Sequence, residues 1–95
     1  MPAGTDRSDL DTTWRPTLAP SIMLRRDRVR QADLLVLPER VVVLGGRAAD
    51  VVRLCDGRRD VAQLVEELAD RFPGAPVADE VPAFLARLRE QGWLR

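Results

Sequence analysis

The chain has 95 residues, 45% of them hydrophobic and 32% charged, with 15 arginines balancing 15 acids and no Lys, His, Tyr or Asn. That length holds one modest core and excludes a second domain with a core of its own, and no apolar run approaches the roughly 20 residues of a spanning helix. Without histidine, and with Cys55 as the lone cysteine, the usual neutral-pH acid–base chemistry, an internal disulfide and a Cys-rich metal site are excluded too. The start, "MPAGTDRSDLDTTWRP", lacks the basic and apolar segments of a secretion signal, so a cytoplasmic protein is expected.

Residues 1–20 combine three prolines with few large apolar side chains and read as a flexible N-terminal tail, with Trp14 and Leu18 as docking points; the domain proper is expected over 21–95. On that reading, removing residues 1–14 leaves folding intact. Short apolar runs then predict strands over Ile22–Arg26, Ala32–Leu37 and Arg40–Leu44. Pro38 and Glu39 fill the central positions of a tight turn, and such short connections make the strands an antiparallel meander.

After Gly45-Gly46 the pattern turns helical. Ala48, Val51, Val52 and Cys55 form one stripe, stopped at Gly57. Asp60 and Gln63 have capping-box spacing ahead of a second stripe of Val61, Leu64, Val65, Leu68 and Phe72. A third helix is expected with Asp79 as N-cap, Pro82 in its first turn, and Val81, Phe84, Leu85 and Leu88 on its apolar side. The fold class is therefore α+β, a three-stranded antiparallel sheet followed by a three-helix bundle.

Charge is uneven along the chain: residues 21–59 carry nine Arg against five acids, and residues 60–95 four Arg against seven acids. A winged-helix DNA-binding protein places basic residues on its last helices, so this distribution disfavours nucleic acid as a partner. No metal-ligand spacing, phosphate loop or activated nucleophile is present, and Cys55 sits on an apolar stripe where a buried thiol is the ordinary outcome. Asp56 and Arg59 read as turn residues.

Val41 to Leu44 pose the main question, because a wholly apolar strand at the end of a meander is an open sheet edge with only Arg40 to guard it. Of the two alternating pairs, Val41 with Val43 and Val42 with Leu44, one must enter the core. The other, with the free backbone groups, is suited to an added peptide strand. Competing occupants are the chain's own tail and a second copy, a homodimer. A Val42→Pro change is expected to weaken peptide binding by removing an edge donor.

"LLVLPERVVVLGGRAADVVRLCDGRRDVAQLVEELADRF" followed by "DEVPAFLARLREQGWL" resembles the PqqD family of pyrroloquinoline quinone (PQQ) biosynthesis. The resemblance rests on the Leu37-Pro38-Glu39 turn, "LCDG" at Leu54–Gly57 with Arg59 behind it, and the ending Val81, Phe84, Leu85, Leu88, Gly92. It covers about residues 16–94. One departure is Gly45, where many members have Asn. The resemblance implies a winged-helix-like fold and a non-catalytic, cofactor-free peptide chaperone. Such proteins bind the N-terminal part of the ribosomal precursor peptide PqqA and present it to the radical S-adenosylmethionine (SAM) enzyme PqqE, which crosslinks a Glu and a Tyr of that peptide. It also implies a groove between the third strand and third helix, with Arg40, Val41, Val42, Val43, Leu44, Val81, Phe84, Leu85, Arg87 and Leu88 as its peptide-binding residues. A recognition domain of another ribosomal-peptide pathway is the alternative.

Overall fold

The structure, a computed structural model, describes residues 11–95. Three strands, β1 (Met23–Asp27), β2 (Ala32–Val36) and β3 (Val41–Leu44), are followed by three helices, α1 (Arg47–Arg53), α2 (Val61–Arg71) and α3 (Val77–Glu90). The sheet is antiparallel in the order β1-β2-β3, so β3 is an edge as expected. Its register pairs Leu24 with Leu35 and Leu35 with Val42 across one face. That face lies on the core, where Leu35 is fully buried with Val52, Leu64, Leu68 and Leu85.

Helix α2 begins as its sequence dictates. Asp60 accepts from the Gln63 amide at 2.8 Å, and the Gln63 side chain accepts from the Asp60 amide at 2.9 Å, completing the capping box. Helix α3 starts earlier than expected. Its N-cap is Pro76 and not Asp79, which lies with Glu80 in the first turn, where carboxylates favour the positive end of the helix dipole. Pro82 is therefore inside the helix, its sixth residue, and leaves the Ala78 carbonyl without its helical donor. The extra turn is held because Val77 brings a side chain only 4% exposed into the core. Gly46, the residue before α1, has φ +55°, a conformation that suits glycine and makes the strand-to-helix corner.

The expected domain boundary at residue 21 falls too late. Residues 12–19 form a strap across the helical side, and residues 1–10 of the expected tail lie outside the described residues. The Val61 amide donates to the Trp14 carbonyl at 3.1 Å, and the Ala62 amide to the Thr12 carbonyl at 3.4 Å. These are first-turn donors of α2 that no helical carbonyl can reach. Thr17 and Arg95 exchange two backbone hydrogen bonds, at 3.1 and 2.9 Å, and Leu18 pairs with Leu94. Pro16 is buried, Trp14 and Leu18 pack against the core, and the Arg89 guanidinium lies 4.6 Å from the Trp14 ring. Backbone pairing, invisible to composition, makes this segment part of the body.

Candidate functional site

The turn before β3 sets which way its backbone points. The Leu37 amide donates to the Arg40 carbonyl at 2.9 Å, closing the Pro38-Glu39 turn. Antiparallel pairs alternate between hydrogen-bonded and non-bonded, so Val41, facing Val36, is non-bonded, Val42 bonds Leu35, and Val43 is again non-bonded. The N–H and C=O groups of Val41 and Val43 therefore point away from β2, along the open edge. Val42 spends its amide on the ladder, so Val42→Pro would damage the sheet itself. The informative proline lies at Val43.

Side chains follow the same alternation. Val42 and Leu44 turn inward, half-buried against the core, while Val41 and Val43 are 55% and 63% exposed on the outer face. That exposed pair faces away from the helices, so the groove beside α3 is floored by the inward row. The outer face continues through Val36 and Leu34 to Met23, which is 52% exposed.

Two contacts fix β3 against α3 at opposite ends. Arg40, at the start of β3, lies with its guanidinium 5.6 Å from the ring of Trp93, just past the end of α3. Arg47, just past the end of β3, donates from Nε and Nη2 to Glu80 Oε1 at 3.1 and 2.6 Å in the first turn of α3. The strand and the helix thus run in opposite directions on either side of the groove that the resemblance implies. At the Arg47 end, beyond β3, lies an open cavity of about 600 Å³ between α1 and α3. Ala48 and Val51 line it from α1, Val81, Ala83 and Phe84 from α3, and Leu68 from α2.

The expected site residues divide along these lines. Arg40 to Leu44 form the edge and the inward floor; Phe84, half-buried, and Arg87, whose guanidinium sits 5.7 Å from the Phe84 ring, form the helix wall. Val81 is 3% exposed and reaches only the cavity. Leu85 and Leu88, at 0% and 6% exposed, are core residues that a peptide cannot touch without unpacking α3. Missed by sequence reasoning were Arg47, Glu80, Ala48 and Ala83, because the cavity arises where side chains fail to fill space and no local pattern marks that.

The remaining polar residues serve structure. Cys55 donates its thiol to the Val51 carbonyl at 3.2 Å, and burial, with the Asp56 charge adding to it, pushes its pKa up to about 12. A thiol held protonated is a poor nucleophile. The Arg58 amide donates to Asp56 at 3.0 Å and holds that carboxyl below the usual range, with the charge of Arg59 contributing less. Arg59 bridges Asp56 and Glu67 at 3.3 and 2.9 Å across the α1–α2 turn. No group of three or more metal-ligating side chains occurs among the described residues, and no helix there is long and apolar enough to cross a membrane.

Comparison with known proteins agrees with this fold. The family described as Coenzyme PQQ synthesis protein D (PqqD) matches residues 33–94. A PqqA binding protein of Rhodopseudomonas palustris (strain TIE-1) is 36% identical over 90 residues, covering 93% of this chain and 88% of the relative. That of Pseudomonas aeruginosa (strain PAO1) is 38% identical over 86 residues, covering 83% and 94%. Among solved structures, the solution NMR structure of the PqqD truncation of Methylobacterium extorquens PqqCD superposes with a TM-score of 0.68. It is 29% identical, over 96% of this chain and 99% of that one, and is described as a functional, stand-alone recognition element for ribosomally synthesized and post-translationally modified peptides. The chain belongs to the PqqD family.

Proposed function

We propose that this chain is a non-catalytic, cytoplasmic peptide chaperone of PQQ biosynthesis that binds the N-terminal part of PqqA as a fourth strand on β3 and presents it to the radical SAM enzyme PqqE. The observation that carries this reading is the uncharged β3 edge, whose outward N–H and C=O groups at Val41 and Val43 lie beside the α3 groove in a member of the PqqD family. Main-chain bonds along the edge supply affinity, and alternate peptide side chains meet Val42, Leu44 and Phe84 on the groove side. Holding the peptide near the enzyme raises the local concentration of its reactive segment and lowers no barrier.

Titration of isotope-labelled chain with synthetic PqqA tests the reading through backbone amide shifts. Saturable shifts at Val41, Val43 and Phe84 are expected, with Leu85 and Leu88 responding only weakly. A folded chain that shows none rejects PqqA as the ligand. A precursor from a different ribosomal-peptide pathway that saturates the same amides, where PqqA does not, would transfer the chain to that pathway. Ternary binding is checked separately, by sedimentation of the peptide-loaded chain with PqqE; failure to co-sediment rejects presentation to that enzyme while leaving peptide binding intact.

A further inference from the structure

We infer that the outer face of the sheet, the side turned away from the helices, is the docking surface for the peptide-modifying enzyme, whose matching surface is apolar at its centre and carries carboxylates at its rim. This surface rests on the presentation reading above and gives that step its place on the fold. Alternation puts Met23, Leu34, Val36, Val41 and Val43 on this face, and none of them packs on the core. Among the outward strand residues only Arg25 and Asp27, both on β1, are polar. A sheet face left to water ordinarily carries polar residues at such positions. The docked peptide does not account for the pattern. Met23, 52% exposed, lies on the far strand, three strand spacings or roughly 14 Å from a strand added beyond β3. A contiguous apolar patch that the ligand cannot cover marks contact with another macromolecule.

Charge sets the chemistry of the occupant. The turn after β1 carries Arg28, Val29 and Arg30, all exposed, with Val29 94% exposed at the tip. Asp27 Oδ1 fixes the shape of this turn by accepting from the Val29 and Arg30 amides at 3.0 and 3.2 Å, and its other oxygen lies 3.8 Å from Arg30. Arg25 and Arg28 meet no carboxylate among the described residues. An acidic rim opposite this end would pair with them, whereas a second copy would bring the same arginines to the same interface. Aliphatic side chains offer a nucleic acid neither stacking nor base-edge hydrogen bonds, so the occupant is a protein. Position selects which protein. Val41 and Val43 give their side chains to this face and their N–H and C=O groups to the peptide edge, and alternate residues of an added strand project onto the same face. An enzyme seated there meets sheet and peptide as one surface. It therefore binds the loaded chain more tightly than the bare one, and by linkage the peptide is held more tightly by the same factor.

Calorimetric titration with PqqE and with synthetic PqqA measures each binding step in the unaltered chain, in Met23→Glu and in Arg28→Glu. PqqE is expected to bind the peptide-loaded chain about fivefold or more tighter than the bare chain. Met23→Glu should weaken PqqE about tenfold and Arg28→Glu about threefold, the latter loss shrinking at high salt. Affinity of either variant for PqqA alone should match that of the unaltered chain. Should Met23→Glu fail to fold, Arg28→Glu, on the exposed turn, carries the test by itself. Unchanged PqqE affinity in the folded variants overturns the docking face while leaving peptide binding and presentation standing. Equal PqqE affinity for loaded and bare chain overturns the shared surface. Self-association of the unaltered chain that Met23→Glu abolishes, seen in sedimentation velocity without enzyme, overturns the enzyme as occupant in favour of a second copy. Absence of PqqE binding to the loaded chain overturns the face together with presentation, and absence of PqqA binding overturns strand addition and the shared surface with it.

Discussion

The sheet has two edges, and they are built differently. β1 reads MLRRD, with three charged residues in five, whereas β3 reads VVVL, with none in four. Arg26 is tied to Asp33 at 3.1 Å, and the Asp27 carboxylate accepts from the amides of Val29 and Arg30 in the adjoining turn. Charges on an edge strand resist pairing with another chain, because the newcomer must bury or displace them. One edge of a single small sheet is thus defended and the other left receptive. An undefended edge on an otherwise defended sheet is what a site for a visiting strand requires.

The chain's own N-terminal segment could have closed β3 and, over residues 12–19, does not. That contrast gives the largest expected effect. Removing residues 1–20 should unfold the domain, because Pro16, Leu18 and the strap's hydrogen bonds together amount to several kcal/mol, comparable to the ~5–15 kcal/mol stability of a small domain. Removing residues 1–10 should leave both the melting temperature and peptide affinity unchanged; a rise in affinity would show that those residues compete for the β3 edge. Thermal melts and titration calorimetry distinguish the cases.

Next in size is Val43→Pro, which deletes an outward donor where an edge strand tolerates proline. Peptide affinity should fall about 10- to 100-fold, on the order of 1.4–2.7 kcal/mol, with the melting temperature nearly unchanged. Val42→Pro should instead lower the melting temperature, since its amide bonds Leu35. A third change breaks the asymmetry from the other side. Arg25→Val with Arg26→Val strips the charge from β1 and should produce concentration-dependent self-association in sedimentation velocity, absent from the unaltered chain at equal concentration. If the double variant stays monomeric, edge charge is not what separates the two strands.

The smallest effect concerns Cys55. Its folded pKa of about 12 lies above the ordinary thiol value of 9.0, so the folded state favours the neutral thiol. The associated stability is complete below pH 9 and is lost as pH rises toward 12. Chemical denaturation between pH 8 and 11 should show a decline that Cys55→Ala lacks, and alkylation at pH 8 should be slow until denaturant is added.

Much of this arrangement is legible in the residues. The order of three strands and three helices follows from periodicity, the α2 start from Asp60 and Gln63, and the family from the spacing of the Leu37-Pro38-Glu39, "LCDG" and α3 residues. The strap is legible only in part: Trp14 and Leu18, expected as docking points, do pack against the core, but the rest of its attachment runs through backbone groups and one buried proline, which composition does not mark. The start of α3 is obscured by Pro82, which favours a first-turn position but is overruled by burial of Val77. On the groove, the alternation of β3 predicts that one pair of valines lies open, yet which amide is free depends on the single bond from Leu37 to Arg40. Leu85 and Leu88 show the limit of a helical stripe as a guide. Residues on one apolar face can all belong to the core, with the ligand meeting only its margin at Phe84 and Arg87.

The pairing of Thr17 with Arg95 has an architectural consequence. Thr17 and Arg95 lie side by side next to Trp93 and hence near Arg40, while residues 12–16 run on to the start of α2, where Thr12 and Trp14 accept from Ala62 and Val61. A domain joined after Arg95 would be tethered at the Arg40 end of β3, with the α1–α3 cavity at the far one. A peptide laid along β3 would then extend toward whatever that tether carries.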